Sequence, residues 1–184
     1  VQGRATLVGN LCNGSPAADS VPALIAAGAS VTVISPNGSR DVSVEDIPHS
    51  PGKTTLEKGE LISAINLPKR NTNGGDAYLR VIPRTEMDIA VVGCGVNLSV
   101  KEGIVSDARV SLGAVTAKVI LVKEAADAII GTSLDDEALT ALSFAASAAC
   151  KPINDKRGTI EYRTHVAGVL AKRAAQIAYK RARS

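Results

Sequence analysis

The spacing of apolar positions changes about halfway along the chain. Residues 17–27 are almost continuously apolar and read as a short helix. Asp19 or Ser20 caps it, Pro22 is tolerated in its first turn and Gly28 stops it. Just upstream, residues 9–16 are dense in Gly, Asn, Ser and Pro and read as a turn. Residues 29–34 alternate in the strand manner into a turn at 36–39, and residues 41–44 are the natural return strand. Residues 45–58, with Pro48 and Pro51, read as irregular. Residues 59–68 form a further strand closed by proline. The polar, glycine-rich stretch 69–76 is the best domain boundary, dividing a unit of residues 1–70 from one of residues 75–184.

Beyond that boundary three strands are predicted, at 77–82, 89–100 and 104–112, with a tight hairpin turn at Lys101-Glu102-Gly103. Helical stretches follow at about 121–130, 134–149 and 160–182. In the last, Val166, Val169, Leu170, Ala174, Ile177 and Ala178 fall on one face. Strands first and helices afterwards give an α+β fold: a small mixed α/β piece, then an antiparallel three-stranded sheet packed on a helical bundle.

Composition narrows the function classes. With one Phe, three Tyr and no Trp in 184 residues, the core is built from Val, Ile, Leu and Ala. So few aromatics, with a net charge of only +3, argue against a nucleic-acid partner. The basic excess gathers at Lys172, Arg173, Lys180, Arg181 and Arg183, where it suits the negative end of a helix dipole. Cys12, Cys94 and Cys150 are too scattered for an iron–sulfur or zinc cradle, and an odd count suggests a reducing, cytoplasmic compartment. His49 and His165 are isolated, so no metal site is expected. No apolar run reaches the length of a membrane span. Gly93-Cys94-Gly95 begins like a dinucleotide fingerprint, but Leu98 stands where the third glycine belongs and the segment reads as strand. Arg84, Glu86 and Asp88 form a charged cluster whose expected role is a structural salt bridge.

Two stretches are more specific. The first runs from Thr6 to Asp19: a small-residue segment ending in Gly9-Asn10, then Ser15-Pro16, then Asp19 nine residues after the Asn. The second has Gly59-Glu60-Leu61-Ile62, then Tyr78-Leu79-Arg80, then Arg84-Thr85-Glu86-Met87-Asp88-Ile89-Ala90. The tail carries Arg157-Gly158 and Glu161-Tyr162-Arg163. In this order the motifs resemble the FAD-binding (medium) subunit of the molybdenum hydroxylases, the xanthine dehydrogenase and aerobic carbon monoxide dehydrogenase family, in its C-terminal part. The resemblance runs over essentially the whole chain. It implies the second FAD-binding subdomain over residues 1–70 and a flavoprotein C-terminal-type domain over 75–184.

The resemblance also implies a role and a site. The chain is expected to be part of the electron-transfer subunit of a heterotrimeric oxidoreductase. FAD there receives electrons from [2Fe-2S] clusters on a small subunit, and molybdopterin sits on a large subunit. FAD is expected to be held jointly with an N-terminal FAD subdomain that carries the glycine-rich pyrophosphate loop and is missing here. The implied cofactor contacts are Thr6, Leu7, Val8, Gly9, Asn10, Asn13, Ser15, Asp19, Leu61, Ile62 and Arg80, with no catalytic residue. Their chemistry suits a flavin. Gly9 admits a close backbone approach, Thr6, Asn10 and Asp19 offer polar tips, and a cation at Arg80 favours reduced, anionic flavin. Four of them have a plainer alternative: helix capping for Asp19, strand core for Leu61 and Ile62, a solvated charge for Arg80. Two other functions compete, a subunit-docking module that binds no FAD and a stand-alone flavin reductase of the wider FAD fold.

Overall fold

A computed structural model describes residues 3–84 and 88–184. The chain opens with a helix where a turn is predicted: α1, Leu7–Cys12. Thr6, in extended conformation, accepts a hydrogen bond from the Gly9 N–H at 2.9 Å and starts it. One cap is enough to make a single helical turn from a glycine- and asparagine-rich segment. Helix α2, Ser20–Ala26, follows the expected pattern and buries Val21, Leu24 and Ile25. Gly28 ends it with φ +70°, while the Ala29 N–H reaches back to the Leu24 carbonyl at 3.0 Å.

Strands β1, Ser30–Ser35, and β2, Gly38–Ser43, form the predicted hairpin. Residues 45–58 are more regular than expected. A 3-10 turn, Val44–Asp46, leads into a small hairpin of β3, Pro48–Ser50, and β4, Lys53–Thr54. The two prolines that suggest irregularity sit at the start of β3 and in its turn. Strand β5, Leu61–Asn66, returns to pair with β1 and completes a sheet of order β2-β1-β5.

The second sheet holds β6, Gly74–Val81, β7, Val92–Lys101, and β8, Ile104–Gly113. These are the three predicted strands, and a two-residue β9, Ile120–Leu121, adds a short edge to β8. β7 starts at Val92 rather than at residue 89, so Ile89 lies in the connection before it. Glu102 and Gly103, with φ +53° and +81°, make the tight turn between β7 and β8. Helices α3, Lys123–Asp127, α4, Asp136–Ala148, and α5, Ile160–Ala182, cover this sheet. Asp135 and Thr159 cap the last two, and Val166, Leu170, Ala174 and Ala178 of α5 are buried against the sheet, as the spacing predicts.

Two apolar cores result, one under the second sheet and one between α2 and the first sheet. They are not independent, because Val119 and Leu121 of the second half enter the first core. The halves approach closely at the Gly93-Cys94-Gly95 segment. A Cβ on Gly95 would come 2.6 Å from the Pro22 carbonyl oxygen, so this glycine lets α2 lie directly on β7. The false dinucleotide motif is therefore a packing device, and it fixes where α2 and its leading residue, Asp19, sit.

Candidate functional site: the edge between the two halves

Most of the polar residues singled out in the sequence are held by named partners. Thr6 Oγ1 is occupied by the Gly9 N–H. The Asn10 side-chain oxygen accepts from the Ser20 N–H at 3.0 Å and from the Ser20 hydroxyl at 2.6 Å, tying α1 to the start of α2. That leaves the Asn10 amide NH2 as its free donor. Asn13 is the exposed C-terminal cap of α1. Ser15 Oγ accepts from the Ala17 N–H at 3.2 Å, shaping the turn through Pro16.

Asp19 occupies the N-cap position of α2, yet its side chain makes no capping hydrogen bond. It points to the second sheet. One carboxylate oxygen accepts from the Tyr78 hydroxyl at 3.3 Å, and the other is ion-paired with the Arg80 guanidinium. The capping alternative thus fails for its side chain. Arg80 is not a bare cation either, since Asp19 offsets its charge. Burial, then the nearby Asp19 charge, pushes the Tyr78 phenol well above its ordinary value of 10.0.

Strand periodicity separates the last two residues of the set. Leu61 and Ile62 pair with Ile34 and Val33 of β1 on opposite faces. Ile62 is buried in the first core, so only its backbone can meet a ligand, whereas Leu61 is 55% exposed. Leu7, on α1, is 54% exposed. The first-turn N–H groups of Leu7 and Val8 have no intrahelical acceptor, as in any helix.

α1, α2 and, from far along the chain, β6 thus share one edge: α1 is joined to α2 through Asn10, and α2 to β6 through Asp19. Two exposed leucines, uncapped backbone donors and a polar triad suit a nucleotide bearing a flat, partly apolar ring. Sequence reasoning missed Tyr78 as a site residue, although the aromatic-x-Arg pattern contains it. It also missed Ser20, which has no motif of its own.

A cleft of about 300 Å³ opens nearby, with Pro16, Ala17, Pro51, Ile89, Pro152 and Arg163 in its wall. None of the eleven expected contacts lines it. Arg163 is buried there, donating to the carbonyls of Val91 at 2.7 Å and Ala114 at 3.3 Å and to Asp155 at 2.7 Å. Its role as a fastener of the α5 start is invisible in sequence, because those partners come from three different connections. Arg84 and Asp88 form the expected ion pair at 3.2 Å, while Glu86 lies outside the described residues, as do Thr85 and Met87. Among the described residues no His, Cys, Asp and Glu group could hold a metal. No described helix is long and apolar enough to cross a membrane.

Comparison with known proteins places the chain in a family. Residues 1–70 match the family described as FAD binding domain in molybdopterin dehydrogenase, and residues 77–178 that described as CO dehydrogenase flavoprotein C-terminal domain. The carbon monoxide dehydrogenase medium chain of Afipia carboxidovorans is 34% identical over 97% of this chain and 62% of its own length. The xanthine dehydrogenase FAD-binding subunit of Escherichia coli O157:H7 is 28% identical over 92% of this chain and 58% of its own. Among solved structures, carbon monoxide dehydrogenase from Hydrogenophaga pseudoflava, lacking the Mo-pyranopterin moiety of its molybdenum cofactor, superposes with a TM-score of 0.94. It is 32% identical and covers 97% of this chain and 62% of that one. The chain spans about three fifths of the length of these relatives. It belongs to the family of FAD-binding medium subunits of the molybdenum hydroxylases, and corresponds to their C-terminal part.

Proposed function

We propose that this chain forms one wall of an FAD site in an electron-transfer subunit. The observation that carries the reading is the convergence of Asn10 and Asp19, from one motif, and Arg80, from another, on one connected edge. FAD, when bound, supplies the redox chemistry, accepting electrons from [2Fe-2S] clusters and passing them to an external acceptor. The chain's own residues bind and orient it. The α1 segment, Thr6 to Asn10, offers backbone donors and the Asn10 amide to the phosphates and ribityl chain, with Asn13 and Ser15 beside them. Leu61 and the backbone of Ile62 flank the ring, and Asp19 and Arg80 present an ion pair to it.

The partners follow from the same reading: an N-terminal FAD subdomain completing the site, a [2Fe-2S] small subunit and a molybdopterin-binding large subunit. The division into units of residues 1–70 and 75–184 and the cytoplasmic location belong to it as well. A flavin titration of the chain tests it, alone and then mixed with a segment carrying the family's glycine-rich FAD loop, read by flavin fluorescence. Saturable binding after mixing, weakened by Asp19→Ala, is expected. No binding in either case, from a chain shown to be folded, would favour a docking module.

A further inference from the structure

Tyr78 is distinct among the three tyrosines. Tyr162 is about half exposed near the start of α5, and Tyr179 donates to the Gly103 carbonyl at 2.5 Å. Tyr78 instead lies two residues before Arg80 on the same face of β6, so both side chains reach the same carboxylate. Its hydroxyl donates to one oxygen of Asp19 while Arg80 takes the other. Room for the phenol depends on the neighbouring strand. Gly93 of β7 pairs with Arg80, and a Cβ there would come 3.0 Å from the Tyr78 hydroxyl oxygen. A glycine at this place lets the ring reach towards Asp19.

We infer that Tyr78 is a positioning residue of the flavin site, orienting the Asp19 carboxylate and through it the Arg80 guanidinium. This rests on the reading that the edge holds FAD. Two donors share the carboxylate, one on each oxygen. A neutral phenol occupying one oxygen leaves Arg80 a single-oxygen contact and keeps part of its fork free for a ligand. Without the phenol, the carboxylate can turn to take the guanidinium through both oxygens, the geometry such pairs favour. The cation is then drawn away from the ring, and the phenol O–H dipole that partly offset the carboxylate is lost. Both changes disfavour reduced, anionic flavin.

The test uses Tyr78→Phe in the flavin-loaded subunit, with Tyr162→Phe as the control. Flavin binding is expected to weaken about three- to tenfold, the effect of one hydrogen bond, and the flavin midpoint potential to fall. Gly93→Ala, which keeps the phenol but crowds its hydroxyl, should move both in the same direction. A second readout needs no cofactor. The chain has no Trp, so tyrosinate absorbance reports the three phenols alone. The raised titration of Tyr78 should vanish in Tyr78→Phe and move down in Asp19→Asn.

If Asp19→Asn leaves every phenol titration in place, Tyr78 is not coupled to Asp19 and the inference falls. It also falls, with the flavin reading intact, if wild type and Tyr78→Phe bind flavin equally and share one potential. A wild-type protein that binds no flavin overturns both readings.

Discussion

Two arginine–aspartate pairs show how differently the same residue types serve this fold. In Arg163–Asp155 the arginine side chain is 5% exposed, and two backbone carbonyls share its protons with the aspartate. Asp155 also receives the N–H groups of Arg157 and Gly158, which, with Arg163, hold its carboxyl below the usual range. In Arg80–Asp19 the side chains are 34% and 45% exposed, and the one other described partner of the carboxylate is a side-chain hydroxyl. The first pair fastens α5 to the connections before β7, after β8 and before α5 itself. The second is open to solvent and so to a ligand. A buried charge with its neighbours removed is costly, whereas an exposed pair contributes little to stability. The contrast predicts that the two sites respond oppositely in stability and in binding.

The largest expected effect is on the buried side. Arg163→Met should lower the unfolding free energy by about 3 kcal/mol, because it leaves the carbonyls of Val91 and Ala114 without their donor. Urea unfolding measures this. A loss under about 1 kcal/mol would mean that the pair behaves like a surface one, and the comparison would collapse. Flavin affinity per folded molecule should stay near the wild-type value.

Gly95→Ala comes next and joins the two sides. The added Cβ meets the Pro22 carbonyl at 2.6 Å, so α2 must lift from β7. Overpacking of this kind costs about 1–3 kcal/mol. Asp19 leads α2, so flavin affinity should fall together with stability. A stability loss with unchanged affinity would show that the carboxylate position is set by β6 alone.

At the exposed pair the pattern should invert. Asp19→Ala and Arg80→Ala are expected to change unfolding free energy by less than about 1 kcal/mol. Each should weaken flavin binding by about tenfold or more, the loss of a charge-assisted contact. Parallel denaturation and titration of both variants separate the two quantities. Variants that unfold as readily as Arg163→Met would place the pair among the structural ones.

Much of the architecture is legible in the sequence because periodicity reports burial. The α5 face, the Gly28 stop and the Glu102-Gly103 turn each follow from a local rule that the fold does not override. α1 is not legible, since its helix depends on one Thr6 cap in a segment whose composition favours turns. The candidate site divides in the same way. The motifs name Asn10, Asp19 and Arg80, but only folding shows that the Asn10 side-chain oxygen is taken by Ser20, that Ile62 turns into the core, and that Arg80 is paired. Arg163 carries no signal beyond its place in the tail motif, because two of its partners are backbone carbonyls, which every residue has, and the third, Asp155, belongs to no motif.

The smallest effect sought is in acid, where the buried side of the comparison is read without touching the flavin edge. The carboxyl of Asp155 is lowered in the fold, first by the Arg157 N–H and then by Arg163. Its contribution to stability is therefore complete above its ordinary value of 3.8 and is lost as pH falls through the lower folded value. Wild-type stability should decline below about pH 4, the usual carboxylate range. Asp155→Asn should start lower and decline less over that window, because the residue that protonates is gone. Unfolding curves at several acid pH values for the two proteins give the difference directly. Parallel declines would assign the acid sensitivity to other carboxylates, with Asp88 and Glu60 the next to test, since both are also lowered by arginine partners and backbone N–H groups.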